Sequence, residues 1–166
     1  MSEANPSKVI LLDSMTFYAL LRRTSLDWPF RLDRSVSFSI TYPEYLIAVG
    51  DAARRRPPVV FQAIDELTDR RISGMTAATA LIDLDALREY RGLNIELAIP
   101  RAECAPQVIE FMISYDLFVN EATNLVFAES EDALFCADSR SIRREVVRVL
   151  ESRNIEHFVA DAQSGL

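Results

Sequence analysis

The sequence is poor in the residues on which much enzyme chemistry rests. It has one histidine (His157), two cysteines (Cys104 and Cys136) and four glycines in 166 residues. A single histidine cannot supply a paired acid and base, and His157 falls in an apolar stretch where a structural role is expected. Two distant cysteines cannot build a four-thiolate zinc site. They are expected to be reduced, small buried hydrophobes. The sequence also lacks a Gly-x-Gly-x-x-Gly turn, a Walker loop and a Gly-x-Ser-x-Gly elbow, so the usual dinucleotide, P-loop and α/β-hydrolase sites are excluded. Lys8 is the only lysine, which excludes a phosphoacceptor receiver domain, since that needs a lysine at a late strand end. No apolar run approaches the ~20 residues of a membrane helix. The polar start, Met1 to Lys8 with Pro6, is unlike a signal peptide. A cytoplasmic chain that makes no membrane contact is expected.

Positive charge is scarce too. Eighteen Lys and Arg face 25 Asp and Glu, giving a net charge of −7. Domains that grip duplex DNA through its phosphates are usually basic, so bulk attraction to nucleic acid finds no support.

What is present is the mix of an ordinary globular domain, 49% hydrophobic and 26% charged. Residues 1–7 read as a disordered lead, 8–160 as a single domain and 161–166 as a tail. Val9-Ile10-Leu11-Leu12 is a continuous apolar run ending at Asp13, the pattern of a strand buried on both faces. Phe17, Leu20 and Leu21 follow at helical spacing, and then a polar connector holds Trp28-Pro29. Thr41-Tyr42-Pro43-Glu44 has the form of a capping box with proline in the first turn. Its helix continues through Leu46, Val49 and Ala53 to Arg54–Arg56. Two further helices are expected after Pro57-Pro58, on Val60, Ile64 and Leu67 and on Leu81, Leu84 and Leu87. Ile95, Leu97 and Ile99 alternate as a strand. Val108, Ile109 and Met112 begin a helix that continues or restarts near Ser114, with Phe118, Ala122 and Leu125 inward. Ala133–Ala137 is a second wholly apolar strand ending at an acid, Asp138. Ile142, Val146, Val149 and Leu150 form the last long helix, and Ile155–Ala160 the last strand. Strands alternating with helices imply a parallel sheet covered on both faces, a three-layer α/β/α sandwich.

In such a sheet ligands sit beyond the carboxyl ends of the strands. Asp13 and Asp138 stand at two of these ends. Glu44 and Asp116 stand near expected helix starts and can face the same crevice. Four carboxylates together repel, and Mg²⁺ or Mn²⁺ relieves that repulsion because hard cations prefer oxygen ligands. Such ions can assist hydrolysis of a phosphodiester. Each acid also has a plainer role. Asp13 and Asp138 can cap the helices that follow them, Glu44 can close its capping box, and Asp116 suits a helix macrodipole.

Val-Ile-Leu-Leu-Asp13-Ser14 resembles the opening of a PIN domain, the metal-dependent ribonuclease fold of many bacterial toxin–antitoxin pairs. Thr41-Tyr42-Pro43-Glu44 resembles that family's second acidic position, and Ser114-Tyr115-Asp116-Leu117 its Tyr-Asp-Ala helix start. Leu134-Phe135-Cys136-Ala137-Asp138-Ser139 resembles its Leu-Val-Thr-Ala-Asp strand end. The resemblance implies a Rossmann-like α/β/α sandwich in which Asp13, Asp116 and Asp138 hold Mg²⁺ or Mn²⁺ and Glu44 orients a water or completes the shell. It also implies an RNA substrate, a small antitoxin partner and a homodimer. Met15 replaces a small polar residue that helps position the first aspartate, and Cys136 replaces a hydroxyl. These departures keep open an alternative, a catalytically inactive PIN-like domain that serves as a protein-interaction module.

The remaining charged and aromatic residues read as structural. Arg143, Arg144 and Arg148 are expected on a solvated helix face, and Asp83, Asp85, Glu121 and Glu131 at the surface. Phe17, Phe111, Phe118 and Phe135 occupy core-type positions and form no stacking platform.

Overall fold

The computed structural model describes residues 8–21, 36–54, 94–99 and 101–161, with the side chains of 18–21 and 49–54 excepted. The two helices expected on Val60–Leu67 and Leu81–Leu87, the Trp28-Pro29 connector, Asp83 and Asp85 lie outside these residues.

The described chain runs β1 (Ile10–Leu12), α1 (Ser14–Leu21), β2 (Ser37–Thr41), α2 (Tyr42–Arg54), β3 (Asn94–Ala98), a short 3₁₀ turn (Ala102–Cys104), α3 (Ala105–Tyr115), α4 (Val119–Ser130), β4 (Leu134–Asp138), α5 (Arg144–Ser152) and β5 (His157–Ala160). The strands form one all-parallel sheet in the order β3-β2-β1-β4-β5. The expected α/β/α sandwich with a parallel sheet is what the chain adopts. β1 is central, and Leu11 and Leu12 are completely buried, as a strand covered on both faces requires.

Alternation along the strands sorts the two faces. Leu11, Phe135 and Ala137 point to one side, into a core with Phe111 of α3, Leu125 and Val126 of α4, and Val149 and Leu150 of α5. The opposite side carries Ile10, Leu12, Phe38, Ile40 and Cys136, all buried. There Phe17 of α1 meets Tyr45 of α2 edge to face, at 6.0 Å between ring centroids.

Three expectations need correction. No strand is expected between α1 and α2, yet Ser37–Thr41 pairs with both β1 and β3. Asp116 ends a helix instead of starting one: it caps α3 in a left-handed conformation (φ 55°), and α4 begins only at Val119. Phe118 is 60% exposed, whereas Phe17, Phe111 and Phe135 are buried.

Candidate functional site

From β1 the chain moves outward to β2 and β3, then returns to lay β4 and β5 on the other side. The direction reverses between β1 and β4, and a crevice opens beyond the carboxyl ends of strands at such a point. Asp13 and Asp138 leave these two adjacent strands side by side. The backbone N–H of Asp13 donates to the Cys136 carbonyl at 3.1 Å. The N–H of Asp138 donates to Asp13 Oδ2 at 3.2 Å.

Asp13 serves two purposes at once. Its Oδ1 accepts the Thr16 N–H at 2.8 Å, the bond of an N-cap to α1, and the Thr16 hydroxyl at 2.7 Å. Its Oδ2 faces Asp138 and lies 3.5 Å from Ser141 Oγ. Thr16 thus does the positioning expected of a small polar residue where Met15 stands. Burial pushes the Asp13 carboxyl up to about 6, aided by the negative charge of Glu44 and opposed by the bonds from Thr16 and Asp138. Two strand ends therefore confine a carboxyl group that gives up its proton reluctantly.

Glu44 is buried at the head of α2 and joins the same crevice. Its Oε2 accepts the Ser14 N–H at 3.3 Å, placing it against the positive end of α1. Its Oε1 accepts the side-chain amides of Asn120 at 3.2 Å and Asn124 at 2.7 Å. Asn124 also accepts a bond from the Thr41 hydroxyl. The expected capping box is therefore not what these groups make: Thr41 is the last residue of β2, and its hydroxyl and the Glu44 carboxylate meet at Asn124.

Asp138 is fully buried and tied to Arg140, whose N–H and Nε donate to Oδ1 at 2.8 and 3.0 Å and whose Nη2 donates to Oδ2 at 2.9 Å. The hydrogen bonds from Arg140 hold the Asp138 carboxyl below its ordinary range. Asp138 does not cap α5, which starts after Arg143. The Cys136 thiol between the two aspartate ends is raised well above its usual value by burial and the Asp13 charge, so it is no nucleophile.

Asp116 stands apart from this group. It is exposed at the end of α3, and its carbonyl accepts Arg143 Nη2 at 2.9 Å. Among the described residues its carboxylate makes no hydrogen bond to Asp13, Glu44 or Asp138. The helix-head place beside Glu44 belongs to Asn120 and Asn124, which are not among the residues expected there. Two uncharged amides at i, i+4 on a helix that also carries Glu121, Thr123 and Glu129 give no sequence signal of their own. Glu121 was expected at the surface; its side chain is only 12% exposed, and it takes two bonds from Arg143 at 2.7 and 2.9 Å. His157 Nδ1 bonds the Ile155 carbonyl at 2.8 Å, a structural tie.

By donor type the crevice suits a hard divalent cation, since it gathers three carboxylates. As arranged, every carboxylate is turned to a protein donor, and no group of three or more His, Cys, Asp or Glu among the described residues is set to hold a metal. At Asp138 the group that must give way is Arg140, whose side chain is 62% exposed and free to swing into water. A separate cavity of about 460 Å³ lies between β3, α3 and α4, with Ser39, Glu96, Val108, Val126 and Phe127 on its walls and none of the crevice acids. No described helix is long and apolar enough to cross a membrane.

Compared with known protein families and with curated proteins, the chain matches none.

Proposed function

We propose that this chain is a divalent-cation-dependent ribonuclease, with Asp13, Glu44 and Asp138 holding Mg²⁺ or Mn²⁺ at the sheet's switch point. One observation carries the reading: the acids that end the two central, adjacent strands are neighbours, the Asp138 N–H donating to the Asp13 carboxylate, and the negative charge of Glu44 repels that of Asp13 and raises its pKa. A bound cation relieves that repulsion, and it supplies Lewis-acid activation of the phosphodiester and stabilisation of the leaving oxygen. The chain's own residues orient the pocket. Thr16 fixes the rotamer of Asp13, the two asparagine amides fix Glu44, and Arg140 is placed to exchange Asp138 for a substrate phosphate. Asp116 takes no direct part in this geometry. As for the family that the motifs resemble, RNA is the substrate, the cytoplasm the setting, and a small antitoxin and a second copy the companions.

A second reading is an inactive interaction module of the same fold. It is favoured by the fact that the crevice carboxylates already have protein partners, Asp138 in Arg140 and Glu44 in Asn120 and Asn124. Calorimetric titration with Mn²⁺ at neutral pH, on the wild type and on Asp13→Asn, separates the two. The ribonuclease reading expects binding that falls at least tenfold in the mutant, followed by Mg²⁺-dependent cleavage of RNA. A wild type that takes up no Mn²⁺ even with RNA present leaves the interaction module.

A further inference from the structure

Phe118 is an exposed aromatic ring held still. The guanidinium of Arg143 lies over one face, 4.1 Å from the ring centroid. Arg143 is itself fixed by two bonds to Glu121, at 2.7 and 2.9 Å, and one to the Asp116 carbonyl at 2.9 Å. Glu121 Oε1 also accepts the backbone N–H of Phe118 at 2.8 Å. One carboxylate thus holds both the ring's backbone and the cation behind the ring. Yet 60% of the residue remains exposed, so the face away from Arg143 is open. Two residues later, Asn120 places its amide 3.2 Å from Glu44 in the crevice. The Cα atoms of the two residues are at most about 7 Å apart, so the ring and the asparagine stand at the same end of α4.

We infer that Phe118 is a stacking platform for an unpaired nucleobase of an RNA held at the crevice. The inference rests on the ribonuclease reading of the crevice. An open aromatic face takes any base, because every base has a π-face, and a ring already ordered loses little freedom on binding. Bases in a duplex are stacked on their neighbours and unavailable. The protein carries a net charge of −7, so bulk attraction to phosphate is weak and base stacking carries a correspondingly larger share of the affinity. Local cations for phosphates remain on the β4–α5 side, where Arg140 and Arg144 are exposed.

The test is fluorescence anisotropy with a labelled short single-stranded RNA and its duplex, with Ca²⁺ replacing Mg²⁺ to keep the strand intact. Phe118→Ala is expected to weaken single-strand binding about tenfold or more, to leave duplex binding unchanged, and to be rescued by Phe118→Trp. An RNA carrying abasic sites should bind the wild type and Phe118→Ala alike. The platform is overturned if Phe118→Ala binds single strands as the wild type does, or if its loss is as large with abasic RNA. It is overturned too if the wild type binds no RNA, which would assign the ring to a protein partner. Stacking-dependent binding without cleavage when Mg²⁺ is restored would remove the hydrolytic reading and leave the platform standing. Cleavage indifferent to Phe118 would do the reverse.

Discussion

Two arginine–glutamate–phenylalanine sets frame α5, one at each end, and they are put to opposite uses. At its C-terminal end Arg153 bonds Glu129 of α4 at 2.6 Å, donates to the Tyr115 hydroxyl at 3.3 Å and lies 4.7 Å from the Phe111 ring centroid. At its N-terminal end Arg143 bonds Glu121, at the other end of α4, and lies over Phe118. Phe111 is 2% exposed and Phe118 60%. The chemistry is the same in both, but one set closes over the core while the other leaves a ring in water beside the carboxylates. A guanidinium can lock an aromatic ring without burying it, so the burial of Phe111 is a packing result and the exposure of Phe118 needs a separate explanation.

The comparison breaks most visibly at the rings. Phe111→Ala should cost about 3–5 kcal/mol of stability by emptying a core site, whereas Phe118→Ala should stay within about 0.5 kcal/mol. Denaturant melts of the two would show this, and equal losses would mean that Phe118 packs like a core residue. Charge in the crevice gives the next largest effect. The folded chain keeps a proton on Asp13 between the ordinary value of 3.8 and about 6, a window in which the unfolded chain has lost it. Stability should therefore fall as pH rises through that window, by about 3 kcal/mol in all. Asp13→Asn should flatten this slope in melts across pH; an unchanged slope would place the titration elsewhere. Asp138, held low by Arg140, acts in the opposite sense and at lower pH, because its contribution is present above 3.8 and lost only as pH falls through its depressed value. Third, Arg153→Ala should cost about 1–2 kcal/mol, because it leaves Glu129 and the Tyr115 hydroxyl without their partner. Arg143→Ala should cost no more, and it should also loosen the Phe118 ring, read as broadened ring signals in NMR. Smallest is Arg140→Gln, which should tighten Mn²⁺ binding about twofold to fivefold by removing an exposed competitor for Asp138. Unchanged affinity in calorimetry would show that the arginine does not guard that carboxylate.

The parts that were legible in the sequence share a physical reason. β1 and β4 are covered on both faces, so they read as uninterrupted apolar runs, and each run stops at an acid because the strand end opens onto the crevice. β2 was missed because its sequence, Ser37-Phe38-Ser39-Ile40-Thr41, alternates. Its apolar residues share the side of Ile10 and Leu12, while Ser39 and Thr41 are buried on the opposite side, Ser39 on the wall of the cavity and Thr41 spent on Asn124. Asp116 was misplaced because a helix end and a helix start lie three residues apart, and the left-handed turn at Asp116 leaves no periodic mark. Asn120 and Asn124 carry no charge and so announce nothing until Glu44 is seen against them. Phe118 continued an apolar period on paper; in space the period is broken before Val119.

The pairing of Asp13 with Asp138 spans 125 positions, and that of Glu44 with Asn124 spans 80. β1 is made early but sits in the middle of the sheet, and one of its two neighbours is β4. On a ribosome adding about 5–20 residues per second, β1 therefore waits for several seconds with one edge unpaired. The crevice comes into being only when Leu134–Asp138 arrives to close that edge. Assembly of the site is thus among the last events of folding, and a truncated or stalled chain would expose an apolar strand edge without ever acquiring the acidic pocket.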